Sequence, residues 1–180
     1  TLWKIRGTAN DWFKSYLTNR KQYVVINETD SESTNIDFGV PQGSVLGPLL
    51  FLIYINDLNK AIRYSTTRLF ADDTSLLIKR KSLKQLKKHL NIDLKSLCKW
   101  LNANKISLNT DKTELIIFRS HKKEIDYNLN VKINGKKIFP STHVKYLGIF
   151  LDSHLNWNKH CENLAAKLFE KYTMQYFHLC

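Results

Sequence analysis

Apolar residues recur along this 180-residue chain with two periods. Leu83, Leu86, Leu90, Leu94, Leu97 and Leu101 step by three or four, the repeat of an amphipathic helix. Lys84, Lys87, Lys88, Lys95 and Lys99 fall on its other face. A helix is also predicted within 3–17, where Trp12, Phe13, Tyr16 and Leu17 share a side and Asn10 or Asp11 supplies a cap. The apolar run from Val45 to Ile55 follows a turn at Pro41-Gln42-Gly43-Ser44. With Ser44 as cap and Pro48 in the first turn, it predicts a largely buried helix fading through Asp57 and Leu58 to Ile62. A last helix is expected from about His154, with Leu164, Leu168 and Phe169 on one side.

Strand-like runs lie between these helices. Gln22–Asn27 reads as a strand, the polar run ETDSESTN as a loop, and Ile36–Val40 as an extended piece. Residues 68–72 and 75–79 predict two strands joined by a tight turn around Asp72–Thr74. Thr113–Arg119 predicts a strand, and so does Val144–Leu151. Val131–Ile133 and Lys137–Phe139 flank Asn134-Gly135, a strong hairpin signal. Helices and hairpins alternate without a βαβ beat, so the expected class is α+β, an antiparallel sheet with helices packed on one face. A boundary is expected near Asp152, giving units 1–152 and 153–180.

Composition narrows the function classes. Hydrophobic content of 43% with 24% charged residues fits a globular chain rather than a disordered one. Lys and Arg number 28 against 16 Asp and Glu, a net charge of +12. Much of the excess lies between Lys79 and Lys123, with 13 basic and 3 acidic residues, a local net of +10. Such a field favours a polyanion, nucleic acid ahead of other partners, although a basic surface also serves solubility. Cys98, Cys161 and Cys180 show no framework spacing, which points to reduced thiols inside a cell. His160-Cys161 with His178 and Cys180 makes half of a zinc site without a second half. Gly47 and Pro48 interrupt the longest apolar run, which is too short to span a bilayer. The chain opens on Thr1 and its one methionine is Met174, which reads as a segment of a longer protein.

Three stretches could carry chemistry. In RLFADDTSLLIKR, Asp72 and Asp73 sit side by side between apolar runs. Adjacent carboxylates near a core cost free energy unless something neutralises them. Their hard oxygen ligands suit Mg²⁺, completed by substrate phosphates. A solvated turn with both side chains in water is the competing account. In GVPQGSVLGPLLF, the glycines beside Pro41-Gln42 allow close approach of a backbone or a nucleotide, and Gln42 can bond a base edge or sugar hydroxyl. A plain strand-to-helix turn explains the same residues. In WLNANKISLNTDKTELIIF, Lys112 at the start of a strand could neutralise or protonate a leaving pyrophosphate, or be an ordinary exposed lysine.

Taken together, these stretches resemble one family. LFADDT resembles the F/YxDD box of reverse transcriptases. GVPQGSVLGPLLFLIYINDL resembles the PQG-containing box that precedes it in non-LTR retrotransposon enzymes. WLNANKISLNTDKTELIIF resembles the box that follows, and KYLGIFLD the primer-grip box. WFKSYLTNRKQYVVIN resembles the connecting segment ahead of the PQG box. All five stand in family order over about residues 5–160, most like jockey-like elements of the LINE type.

The resemblance implies the palm of a right-hand polymerase in 1–152 and the start of a thumb or connection helix in 153–180. Its activity would be RNA-directed DNA polymerisation, with dNTP joined to a primer 3′-hydroxyl. Asp72 and Asp73 would be catalytic and hold two Mg²⁺ ions, with Mn²⁺ as a substitute. Lys112 would be the general acid. Gln42, Gly43 and Phe70 would line the nucleotide and template pocket, and Tyr146, Leu147 and Gly148 would position the primer. Implied partners are an RNA template, a DNA primer and dNTP, with no membrane, inside the cell in cytoplasm or nucleus. The lysine face of 84–99 could contact duplex or be a solvated outer face. The family completes its metal site with a third Asp on an earlier strand, which neither Asp11 nor Asp30 replaces. The 180 residues alone are therefore not expected to polymerise. The alternative is a catalytically inactive palm remnant that binds nucleic acid. A two-metal nuclease would need more acidic residues at strand ends.

Overall fold

A computed structural model describes residues 5–41, 43–122, 129 and 131–177, the side chains of 171–177 excepted. The chain divides into two compact units, Thr1–Asp57 with Phe70–Asp73, and Leu58–Leu69 with Thr74–Cys180.

In the first unit, helix α1 (Thr8–Leu17) follows Gly7 and has no side-chain cap. Asn10 and Asp11, the expected caps, lie within the helix itself, where Asp11 faces Lys14 at 4.0 Å. The Trp12 ring stacks on Tyr16 one turn on, with centroids 5.3 Å apart. Next comes a long hairpin. Strand β1 (Arg20–Gln22) pairs antiparallel with β4 (Thr34–Ile36), and β2 (Val25–Ile26) with β3 (Thr29–Asp30). Between the two ladders the Ser31 N–H donates to the Val24 C=O and the Val24 N–H donates to the Ser31 hydroxyl, each at 2.9 Å. The turn is Asn27-Glu28, both at positive φ, the geometry that matches strand twist. ETDSESTN, expected as a loop, is thus the hairpin's return arm. Its residues are polar on both faces, so no alternation betrays it. The Arg20 guanidinium donates to the carbonyls of Phe38 and Gly39, at 3.3 and 2.6 Å, and fixes the chain leaving β4.

Helix α2 (Gly47–Ile55) carries Pro48 in its first turn, as expected. Ser44 lies outside the cap position but does similar work. Its hydroxyl donates to the Pro41 carbonyl at 2.7 Å and accepts the Gly47 N–H at 3.0 Å. A Cβ on Gly47 would stand 2.9 Å from Ser44 Oγ and 3.1 Å from the Pro41 oxygen. The helix is not largely buried: Leu49, Leu52 and Tyr54 are about half exposed. It is apolar all round, and only Gly47 and Ile55 of its residues are buried.

The second unit is built on helix α4 (Leu83–Ala103). Ser82 caps it by accepting the Gln85 N–H at 3.2 Å. Its leucine seam buries Leu90, Leu94, Leu97 and Leu101. The short helix α3 (Leu58–Ala61), with Leu58 fully buried, packs on α4, as does strand β8 (Val131–Ile133). Val131 and Ile133 point into this core and Lys132 points out, and Leu129 and Ile138 complete it. Strand β8 pairs with β9 (Lys136–Ile138) around Asn134-Gly135, as the sequence predicts. Strands β5 (Thr66–Phe70) and β6 (Asp73–Leu77) pair with each other. Of the expected strand 113–119, only β7 (Leu115–Ile116) is in a ladder, parallel to β10 (Pro140–Ser141). The expected strand Val144–Leu151 is instead a hairpin, β11 (His143–Tyr146) with β12 (Ile149–Asp152). Helix α5 (Asn158–Phe177) packs on β12.

The class is mixed helix and strand, with small, mostly antiparallel sheets. Instead of one antiparallel sheet, the described strands make six two-stranded ladders. The longest strand has five residues, and most pair across tight turns with their sequence neighbours.

Candidate functional site

The acidic pair stands at the tip of the β5–β6 hairpin. The turn falls at Ala71-Asp72, two residues earlier than expected, and Asp73 already opens β6. Along β5, Thr67 and Leu69 are half-buried while Thr66, Arg68 and Phe70 are exposed. Phe70 is 61% exposed at the end of this outer row. Ala71 holds φ at 48°, a left-handed conformation that costs an alanine about 1 kcal/mol. This turn presents Asp72 and Asp73 next to each other, both exposed.

Gly43 shares the first unit with Phe70, Asp72 and Asp73. It is exposed, at φ 77°. Gln42 lies outside the described residues. Within the chain itself, an added Cβ would be crowded at Gly47. An added Cβ meets nothing within 4 Å at Gly39 or Gly43.

Lys112, Tyr146, Leu147 and Gly148 belong to the second unit. Lys112 is exposed. It stands ahead of β7 in a turn built by Asn109, whose side-chain oxygen accepts the N–H of Asp111 and Lys112 at 3.1 and 3.2 Å. Tyr146 ends β11 and pairs with Ile149. Leu147 and Gly148, at φ 47° and 86°, form the connecting turn. The glycine at this second position is what makes so tight a reversal cheap.

Two carboxylates that matter to the fold carry no expectation from the motifs. Asp93 is completely buried on the leucine seam. It accepts the backbone N–H of Arg63, Tyr64 and Ser65 and the Ser65 hydroxyl. An acidic residue at a core-facing helix position is the signal that could have found it. Asp152 ends β12. It accepts the N–H of His154, Asn156 and Trp157 at 2.9–3.1 Å and shapes the turn into α5. The Asn156 N–H, helped by those of His154 and Trp157, holds its carboxyl below the ordinary 3.8 against the opposing effect of burial. Asp111 is lowered as well, by its hydrogen bond and ion pair with Lys136.

Among the described residues no cluster of three or more His, Cys, Asp or Glu could hold a metal ion. The Asp72–Asp73 pair is still a fitting donor set for Mg²⁺, which keeps waters and takes one or two carboxylates plus substrate phosphates. Of the zinc half-site, Cys161 is an exposed free thiol, and His178 and Cys180 lie outside the described residues. No described helix is long and apolar enough to cross a membrane.

Comparison with known proteins follows the same residues. The RNA-directed DNA polymerase of the mobile element jockey from Drosophila melanogaster is 30% identical over 84% of this chain. A probable RNA-directed DNA polymerase from the transposon X-element of the same fly is 28% identical over 91%. A Pol polyprotein from the type-1 retrotransposable element R1 of Bradysia coprophila is 29% identical over 86%. The chain spans only 17%, 18% and 15% of these relatives. No solved structure matches significantly. Residues 1–151 match the family described as reverse transcriptase (RNA-dependent DNA polymerase). Motifs, match and relatives agree, and the chain belongs to the reverse transcriptase family, in the non-LTR retrotransposon group.

Proposed function

We propose that this chain is part of an RNA-directed DNA polymerase whose chemistry is centred on Asp72 and Asp73. The observation that carries the reading is two adjacent exposed carboxylates on a tight hairpin tip, within a segment matched to reverse transcriptases. In this reading residues 1–152 are a polymerase palm and 153–180 begin a thumb or connection helix. The substrates are an RNA template, a DNA primer and dNTP, and the work is done inside the cell.

Asp72 and Asp73 would hold Mg²⁺, or Mn²⁺ in its place, through carboxylate oxygens. When bound, two such ions neutralise triphosphate charge and activate a primer 3′-hydroxyl. Phe70 offers an exposed aromatic face next to the pair, suited to stacking on a sugar or base. Gly43, with no side chain, leaves room for the nucleotide, and Gln42 bonds the base edge or ribose. Lys112 donates a proton to the leaving pyrophosphate. Tyr146, Leu147 and Gly148 hold the primer end against the β11–β12 turn.

The test is Mn²⁺ binding in the presence of dNTP, followed by loss of the free-ion electron paramagnetic resonance signal. The unmodified chain should take up the ion, and Asp72→Asn and Asp73→Asn should take up much less. Equal uptake by all three chains would remove the acidic pair from the site.

A further inference from the structure

We infer that Arg20 is a positioning residue for the nucleotide pocket: its guanidinium ties down the segment that carries Gly43. The inference rests on the reading that Gly43 borders the incoming nucleotide, and it names the side chain that holds this border in place.

Arg20 opens β1 opposite Ile36, but its side chain does not serve that ladder. Nη2 donates to the carbonyls of Phe38 and Gly39 at 3.3 and 2.6 Å, both beyond the last ladder pair. Nε donates to the Leu17 carbonyl at 3.3 Å. That oxygen belongs to the last turn of α1, where carbonyls lack helical partners and a cation is favoured. One planar fork thus joins the end of α1 to the chain on its way to α2. Among the described residues no carboxylate forms an ion pair with Arg20. Its charge serves main-chain oxygens, and such charge-assisted bonds are stronger than neutral ones.

The tied segment gets little help from packing. Phe38 is 68% exposed, and a Cβ built on Gly39 or Gly43 meets nothing within 4 Å. Open space therefore lies beside both glycines. Downstream, the Ser44 hydroxyl ties the Pro41 carbonyl to the Gly47 N–H at the head of α2. Gly43 lies between these fixtures. Arg20 sets where the turn enters, and Ser44 sets how it leaves. A short segment fixed at both ends loses little conformational freedom when a ligand binds beside it. The acidic pair is independent of this tie, because the side-chain bonds of Arg20 go to Leu17, Phe38 and Gly39 and to neither Asp72 nor Asp73. Loss of Arg20 should therefore split nucleotide binding from metal binding.

The experiment is a pair of titrations on this chain. One is Mn²⁺ alone, followed by loss of the free-ion electron paramagnetic resonance signal. The other is a fluorescent dNTP at fixed Mn²⁺. Arg20→Ala should weaken dNTP binding about tenfold, the size of one charged hydrogen bond, and leave Mn²⁺ affinity unchanged. Arg20→Lys keeps the charge but lacks the planar fork, and should weaken dNTP binding nearly as much. Circular dichroism checks the fold; if Arg20→Ala does not fold, Arg20→Lys decides alone. Unchanged dNTP affinity in the folded variants would overturn the inference. So would full affinity in Arg20→Lys beside a loss in Arg20→Ala, which would make the residue a plain positive charge. So would an equal fall in Mn²⁺ and dNTP affinity in a folded variant. Asp72→Asn separates the two readings. If it loses dNTP binding while the Arg20 variants keep it, the role of Arg20 falls and the acidic pair stands. If it keeps dNTP binding, the acidic pair falls whatever Arg20 does.

Discussion

Ser65 donates twice to one oxygen of Asp93: its backbone N–H and its hydroxyl both reach Oδ2 at 2.6 Å. The N–H of Arg63 and Tyr64 complete the set at 3.0–3.2 Å. A buried carboxylate thus takes the place of water for a turn that leads from α3 into β5. Asp93→Asn keeps the shape but turns an NH₂ toward N–H donors. The expected loss is about 3 kcal/mol, read as a lower urea midpoint at unchanged slope. A loss under about 0.5 kcal/mol, the size of a surface change, would mean that the turn holds itself.

Asp152 gives the fold a pH dependence of defined sign. Its carboxyl is lowered in the folded chain, first by the Asn156 N–H. The stabilisation is therefore complete above the ordinary 3.8 and is lost as pH falls through the lowered value. Asp111, lowered by Lys136, acts in the same direction. The urea midpoint should be flat from neutral down to about pH 5 and then decline. Asp152→Asn should start lower and decline less. If the two profiles run parallel into acid, the Asp152 turn is not what titrates.

Where one face is buried and the other wet, the sequence reads plainly. The leucine repeat of 83–101 becomes α4, and Asn134-Gly135 becomes a hairpin turn between alternating strands. Where burial is weak, pattern fails. The return arm 28–35 is polar on both faces, and its turn uses Glu28 at positive φ, a residue with no turn signature. Val144–Leu151 looks like one strand because Leu147, also at positive φ, is apolar and hides the reversal that Gly148 allows. The candidate pair was visible because adjacent carboxylates mark themselves in sequence. Its geometry was not, because an alanine in the left-handed region at Ala71 moved the turn by two residues. Asp93 and Asp152 were missed for a common reason: most of their partners are backbone N–H groups, which leave no trace in composition.

Gly47 should tolerate no side chain. A Cβ there would press on Ser44 Oγ at 2.9 Å and on the Pro41 oxygen at 3.1 Å, and the hydroxyl is itself held by two bonds. Gly47→Ala is expected to cost about 1–3 kcal/mol by overpacking, and Ser44→Ala about 1 kcal/mol. The double variant should cost less than the sum, because removing the hydroxyl relieves the clash. Strict additivity in urea unfolding would show that the two residues do not share this contact.

The acidic pair should separate stability from binding. Asp72 and Asp73 are exposed and adjacent, and among the described residues neither forms an ion pair. Both carboxylates face solvent, so neither is expected to contribute much to the stability of the fold. Asp72→Asn removes one charge of the pair and should leave stability within about 0.5 kcal/mol of the unmodified chain. Adding Mn²⁺ and dNTP at about 100 times the dissociation constant should stabilise the unmodified chain by about 2.7 kcal/mol. Asp72→Asn should gain almost none of this, while Asp30→Asn, an exposed acidic residue in the β2–β3 hairpin, should gain all of it. Thermal unfolding with and without the ligands measures both effects at once. A full gain in Asp72→Asn would place the cation elsewhere and leave the hairpin tip a solvated turn; a gain lost only in Asp72→Asn would place the cation at that tip.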